Sequence, residues 1–304
     1  MSEDEITNWF ANQRTLSVEK FPIGIGDDMA QINLDSESVF LTTDMLLDDV
    51  HFNLNNTTLE KVGYKAMAVS LSDCAAMATI PVAAVVSVAL PASFGADELK
   101  QLHTGIVRAG DKFSCALIGG DITSWKKENP FAISVAMLSK KAKNEPVKRS
   151  GANIGDIICV TGSLGGAGFG KHLEFEPRIK EALKIAKMVT INSMIDISDG
   201  LSSDLNRICR QSKVGAIIEA DLIPISNDAK RKDDPLEAAL NEGEDFELLF
   251  TLSQNDCEKL LKRWDESVQI SRIGVIAETN KMQIKVPSGQ IKDLEVKGYE
   301  HLKD

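Results

Sequence analysis

The 304-residue sequence is short of positive charge, with 34 Lys and Arg against 45 Asp and Glu, a net charge of −11 and a pI near 5.0. A chain of that sign lacks the basic face that sequence-independent nucleic-acid binding needs. Phosphate substrates stay open to it, because bound divalent cations reverse the local sign. Paired cysteines are also missing. Cys74, Cys115, Cys159, Cys209 and Cys257 contain no C-x-x-C spacing and are odd in number, which argues against a zinc knuckle or a disulfide framework. Four of the five lie in or beside apolar stretches, where buried free thiols are expected. No apolar run reaches about 18 residues, so no membrane span is expected. The acidic start, MSEDEITNWF, has neither the basic region nor the apolar run of a signal peptide. The expectation is a soluble cytoplasmic protein with no membrane and no nucleic-acid partner. No 20–50-residue repeat and no low-complexity tract is present.

Common catalytic signatures are absent as well. The phosphate loop G-x-x-x-x-G-K-[ST] does not occur. GSLGGAGFG (162–170) contains G-x-x-G-x-G, not the dinucleotide order G-x-G-x-x-G. It follows a strand-like run and leads toward a helix, so its N–H groups could face a phosphate; close strand–helix packing explains it equally well. No Ser/His/Asp order stands out, and the histidines at 51, 103, 172 and 301 are scattered. DISDG looks superficially like a phosphatase D-x-D motif, but Ser198 holds the second Asp position.

What is present is ordinary globular composition, 43% hydrophobic and 26% charged, enough for a sizeable core in one large or two medium domains. The first 20 or so residues read as an acidic-capped helix. MAQINL and VFLTTDML read as strands around the turn residues DSES. Residues 57–79 form the strongest helix candidate, with Thr57 to Glu60 as a T-x-x-E capping box and Pro81 as the stop. VAAVVSVALP reads as a buried strand, GADELKQLHTGIVRAGDKF as an amphipathic helix, CALIGGDIT and FAISVAMLSKK as two more strands. The order is ββαβαββ, an α+β unit ending near residue 140. A charged stretch with Pro and Gly, 139–156, reads as a linker. Strands are expected after it at 156–161, 193–197, 215–220, 245–252 and 269–277, with helices between several of them.

Aspartates recur at the ends of apolar or β-prone runs. They are Asp27 and Asp28 in GIGDD, Asp44 ending VFLTTD, Asp73 ending VSLSD, Asp121 ending ALIGGD, and Asp196 and Asp199 in MIDISDG. Strand ends bring side chains to one edge of a sheet, and carboxylates gathered there repel unless cations sit between them. Magnesium prefers such oxygens and keeps water and phosphate oxygens as its other ligands. Each aspartate also has a plainer reading. Asp27–Asp28 and Asp121 suit turns, Asp199 suits a helix cap, and Asp44 suits a solvent-facing edge. Asp73 is harder to set aside. Val62, Ala66, Val69, Asp73, Ala76 and Ile80 share one helical face, and Asp73 is the only charge in AMAVSLSDCAAMA. Buried there, it needs a metal, a basic side chain or helix-end donors.

Taken together, GIGDDMA, LTTDMLLDDVHF, GYKAMAVSLSDCAAM, LIGGDIT, VKRSGANIGDIICVTGSLG, IDISDGLSSDL, EGEDFELLFT and KGYEH occur in an order that resembles the thiamine-monophosphate kinases. These belong to the aminoimidazole ribonucleotide synthetase-like superfamily. The resemblance runs from about residue 21 to 301. It implies a two-domain α/β (α+β) fold: an N-terminal mixed-sheet α+β domain (1–140) for ATP, magnesium and dimerisation, and a C-terminal α/β domain (141–304) completing the site. It implies a homodimer that moves the γ-phosphoryl of ATP onto thiamine monophosphate, giving thiamine diphosphate. By position, Asp28, Thr42, Thr43, Asp44, Asp73, Asp121, Asp196 and Asp199 would hold several Mg2+ ions. Gly120, Asp121, Arg149 and Ser198 would contact ATP, and His51, Glu244 and Tyr299 the thiamine phosphate. Asp44, Asp121 and Arg149 would carry the transfer. Tyr299 would stack on a thiamine ring or serve as a packing residue. One departure bears on the loop shape: the family often has GGEDYEL, and here Glu242 replaces the first glycine.

Two rivals remain at this stage. One is another ATP-using synthetase of the superfamily; no cysteine precedes Cys74 and the chain ends YEHLKD, which disfavours the relatives with reactive terminal cysteines. The other is a non-catalytic nucleotide sensor on the same fold.

Overall fold

The computed structural model describes residues 17–23, 26–34 and 37–300. Most of the expected N-terminal helix, half of the DSES turn and His301 lie outside them. The first half runs β1 (Ala30–Leu34), β2 (Glu37–Leu47), α1 (Leu59–Ala76), β3 (Ile80–Leu90), α2 (Ala96–Asp111), β4 (Ala116–Ser124) and β5 (Ala132–Lys140). That is the ββαβαββ order read from the sequence. The sheet order is β1-β2-β5-β3-β4, with β3 and β4 parallel and the other pairs antiparallel.

Alternation along β5 shows how this sheet divides. Ile133, Val135 and Met137 are buried, while Ser134, Ala136 and Leu138 between them are only half-buried. The buried rows face the helices. The opposite face carries Leu41, Met45 and Val85, all exposed, and Ile118 in the β4 bulge is 69% exposed. Behind the sheet, α1 and α2 cross almost backbone to backbone. A Cβ added at Gly105 would lie 1.8 Å from the Glu60 oxygen, and one at Gly63 would lie 2.2 Å from that of Leu102.

Helix α1 departs from expectation at both ends. The cap is Thr58, whose hydroxyl accepts from the Lys61 N–H at 3.3 Å, not Thr57. Thr57 Oγ1 is buried without a hydrogen-bond partner. At the other end the helix closes at Ala76, and Ala78 turns the chain with φ of 52°. Ile80, expected on the helix face, therefore opens β3, and Pro81 lies inside that strand.

Residues 141–156 form neither helix nor strand, as expected of a linker. The second half follows with β6 (Ile157–Thr161), α3 (Lys171–Glu174), α4 (Ile179–Met188), β7 (Ser193–Asp196), α5 (Leu201–Ser212) and β8 (Gly215–Glu219). It continues with α6 (Pro235–Asn241), β9 (Leu248–Leu252), α7 (Gln254–Arg263), β10 (Ile270–Ala277), β11 (Met282–Lys285) and β12 (Ile291–Asp293). Strand order is β12-β11-β8-β10-β6-β9-β7, with β11 and β8 parallel and the remaining pairs antiparallel. The sequence did not announce β11 or β12. Strand β9 begins three residues later than expected, because Glu244 and Phe246 hold φ of 65° and 50°, outside strand geometry.

One apolar cluster runs from the first sheet through α1 into the second half, joining Met67 and Leu71 to Phe175, Ile179 and Phe250. A second lies under α5, with Ile158, Val160, Leu205 and Ile208. Helix α1 is thus packed against both halves, which seats its C-terminal turns beside β7. Among the described residues, no helix is long and apolar enough to cross a membrane. All five cysteines are buried and unbridged.

Candidate active site

The acidic positions converge at the junction of the halves. Asp44 comes from β2, Asp73 from α1, Asp196 from the end of β7, and Asp28 from the turn before β1. Together with Thr42, Thr43, Arg149, Ser198 and Asp199 they line a cleft of about 520 Å3. One carboxylate oxygen each from Asp28, Asp73 and Asp196 lie within 4.8 Å of one another. Gly26 makes the turn possible: its φ is 123°, a backbone state that residues with a Cβ rarely adopt.

Hydroxyls orient three of these acids. Thr42 donates to Asp73 Oδ2, Ser70 to Asp44 Oδ2 at 2.5 Å, and Ser72 to Asp196 Oδ2 at 2.5 Å. Asp28 is paired with Arg149, whose Nε and Nη2 reach its two oxygens at 3.0 and 2.8 Å. The Arg149 main-chain N–H also donates to Asp27 Oδ1 at 2.8 Å. One guanidinium cannot neutralise the group. Burial, then the charge of Asp28, pushes Asp44 up to about 6. Asp73 is held well above the usual carboxylate range by burial and then by Asp44, Asp196 and Asp28. Asp196 is raised by burial and by Asp28. Three converging carboxylates, Asp73 and Asp196 oriented by hydroxyls and Asp28 by Arg149, form an oxygen-only donor set, which fits Mg2+ and suits neither zinc nor copper.

A second cleft, about 800 Å3, shares Asp44, Val69, Ser198, Asp199 and Phe246 with the first. His51, Glu244 and Tyr299 all line it. His51 Nδ1 accepts from the Leu47 N–H at 3.1 Å, so a neutral ring carries its proton on Nε2. The Glu244 N–H donates to the Ser198 oxygen at 2.7 Å and the Tyr299 N–H to the Asp199 oxygen at 3.0 Å. Gly243 permits this approach, since a Cβ there would lie 2.5 Å from the Ser198 oxygen.

Two expected residues lie elsewhere in this chain. Gly120 and Asp121 are on the edge strand β4 and border a groove beside α2, not the acidic cleft. Asp121 shares a row with Ser87, Ser134 and Met45 on the open face, so three strand spacings, about 14 Å, separate it from β2. Thr43 borders the cleft, yet the pleat turns its hydroxyl to within 3.4 Å of Ser134 Oγ.

Two N–H groups of the glycine-rich loop are taken up within the chain, while its Gly168 lines the larger cleft. The Gly165 N–H donates to Asp245 Oδ2 at 2.8 Å and the Gly166 N–H to Glu242 Oε2 at 2.9 Å. The chain's own carboxylates thus occupy N–H groups that a phosphate would need. Glu242 has φ of −78°, so replacing the family glycine imposes no backbone cost. It also pairs with Lys232. Burial pushes Asp245 up to about 7, partly offset by Lys171.

Sequence reading missed several residues here. Arg207 donates to Asp199 Oδ2 at 2.5 Å and Asp204 Oδ1 at 2.6 Å, and it lines the acidic cleft with Arg210. On the α5 pattern both read as ordinary solvent-facing helix charges. Lys65 was hidden in the same way within α1.

Residues 26–140 match the family model for the AIR synthase related protein, N-terminal domain. Residues 153–287 match that for the AIR synthase related protein, C-terminal domain. The thiamine-monophosphate kinase of Rhodopirellula baltica is 35% identical over 301 residues, covering 95% of this chain and 94% of its own. That of Bacillus subtilis is 32% identical, covering 95% and 96%. The solved structure of "AaThiL complexed with AMPPCP and TMP" superposes with a TM-score of 0.82 at 29% identity, covering 99% of this chain and 97% of that one.

Proposed function

The chain belongs to the thiamine-monophosphate kinases of the AIR synthase related family, and we propose that its two joined clefts carry out the ATP-dependent phosphorylation of thiamine monophosphate to thiamine diphosphate. The carrying observation is the shared wall. Asp44, Ser198 and Asp199 border both the acidic cleft and the one lined by His51, Glu244 and Tyr299. A donor triphosphate on one side and an acceptor phosphate on the other would meet at that wall. The relative solved with AMPPCP and TMP supports both occupants.

Transfer between two phosphates joins two anions, so catalysis is mainly positioning and charge neutralisation. The acceptor phosphate is already ionised near neutrality, which removes the need for a strong general base. A site rich in Asp, with Arg149, Arg207 and Arg210 as the cations lining its acidic cleft, suits that reaction. Asp28, Asp73 and Asp196 would hold magnesium, with Asp44, Asp199 and Thr42 as neighbouring ligands and Thr43 contributing only main chain, since its hydroxyl faces Ser134; when bound, the ions neutralise phosphate charge and template the reacting oxygens. Arg149, through N–H groups beyond the pair that grips Asp28, and Arg207 would fix phosphate oxygens, and Ser198 would contact ATP. His51 would offer its Nε2 proton to the acceptor phosphate. Tyr299 presents a half-exposed ring for a heterocycle.

The open sheet face supports a homodimer joined through residues 26–140. Such a pairing would cover Met45, Val85 and Ile118 and carry Gly120 and Asp121 toward the partner's site. Residues 1–140 would then serve ATP, magnesium and dimerisation, and 141–304 would complete the site. A reaction consuming ATP supports a cytoplasmic location.

The test incubates purified protein with ATP, Mg2+ and thiamine monophosphate and separates the products by chromatography. Thiamine diphosphate formed with matching ADP, and abolished by EDTA, is the expected result. No product from folded, ATP-binding protein would overturn the reading in favour of a nucleotide sensor or another acceptor.

A further inference from the structure

Lys65 lies in the middle of α1, and its side chain is wholly buried. An ammonium withdrawn from water is costly unless paired and hydrogen-bonded. Its neighbours Tyr64, Ala66, Met67 and Ala68 are all buried, so an apolar residue would pack there with no such cost. The fold by itself gives no reason for a charge at this position. Its partners do. Lys65 Nζ donates to the main-chain oxygen of His51 and to Glu244 Oε1, the latter at 2.5 Å. His51 follows β2 in the first half, and Glu244 precedes β9 in the second. Both line the larger cleft. Glu244 keeps 30% of its side chain exposed, so it is gripped from inside while still facing the cleft. Its backbone is held at φ of 65°, so the loop alone gives it little freedom to find another pose.

We propose that Lys65 is a positioning residue for the phosphoryl acceptor. It fixes the Glu244 carboxylate through one oxygen and leaves the other for the acceptor. The same ammonium sets the spacing between the His51 turn and the Glu244 loop, one wall from each half. This rests on the kinase reading, and it adds a residue to it.

The test measures KM for thiamine monophosphate and for ATP separately in wild type, Lys65→Met and Lys65→Gln, with melting curves for each. A charged hydrogen bond of this kind predicts a rise of about tenfold or more in the acceptor KM. The ATP KM should change less than about twofold. Adding Glu244→Gln to Lys65→Met should raise the acceptor KM little further, because the two act through one contact. An unchanged acceptor KM in an active enzyme would overturn the inference alone. So would an equal rise in both KM values, or failure of both variants to fold, since each makes Lys65 a structural residue. Absence of turnover in wild type would overturn the kinase reading, and the inference with it.

Discussion

At the scale of the residue, the acidic cluster is a store of repulsion that ligand binding relieves. Asp73 sits among Asp28, Asp44 and Asp196 with one hydroxyl to steady it. Replacing it with Asn should raise the melting temperature in EDTA by about 2–5 °C, and abolish the further gain that Mg2+ gives wild type. A lower melting temperature in EDTA would mean that Asp73 has a structural partner instead. Asp44→Ala should leave the fold intact and cost more activity than the roughly 10–100-fold lost when only an outer partner of a metal ligand is removed. Near-normal turnover would remove Asp44 from the site. The cluster also sets a pH dependence. Asp44 titrates near 6 in the folded chain against about 3.9 when unfolded. Between those values the folded state holds more protons, so metal-free stability should fall as pH rises from about 4 to 6, and Asp245, raised to about 7, carries the fall further. Thermal shifts with Mg2+ should accordingly be larger at pH 7.5 than at pH 5, where protons compete for the same oxygens. Equal shifts at the two pH values would contradict that linkage.

At the scale of the element, α1 shows what a sequence states and what it leaves out. The apolar stripe and Asp73 on it were legible, because period and composition are local. The cap was misplaced by one residue, since Thr57 and Thr58 look alike on paper and only the turn before them decides which hydroxyl meets an N–H. Thr58→Ala should therefore cost about 1 kcal/mol, while Thr57→Val, which removes a buried hydroxyl without a partner, should be neutral or stabilising. Chemical denaturation of both variants tests this, and the reverse order of effects would restore the original capping box. Lys65 and Arg207 stayed hidden because a charge in an amphipathic helix reads as surface until the packing of the other half is known. The strands β11 and β12 stayed hidden because three or four residues carry too little alternation to register.

At the scale of the whole molecule, the first sheet has one finished face and one open. Leu41, Met45 and Val85 stand exposed on the same face as Asp121, the expected ligand that the single chain leaves outside the acidic cleft. Ile118→Lys, or Met45→Lys, should shift the protein to the 33.1 kDa monomer in sedimentation and lower turnover with it. A fully active monomer would separate activity from assembly. Here the sequence was informative about residue identity and silent about place. The run ALIGGD marks Asp121 as clearly as VFLTTD marks Asp44, yet strand order decides which reaches the cleft. The glycine-rich loop is the opposite case: its pattern suggested an anion site, and the anions turned out to be Glu242 and Asp245, from about 80 residues downstream.

The pairing of Arg149 with Asp28 has a consequence for how the chain is made. The two residues stand 121 positions apart, which at ~5–20 residues per second is about 6–24 s of ribosomal synthesis. Throughout that interval the nascent first half has its acid turn and its partner strand, but not the guanidinium that closes them. Asp196, the third member of the cluster, emerges later still. The acidic cluster therefore gains its last member only when β7 of the second half has been made, and the linker that joins the halves delivers its first counter-charge.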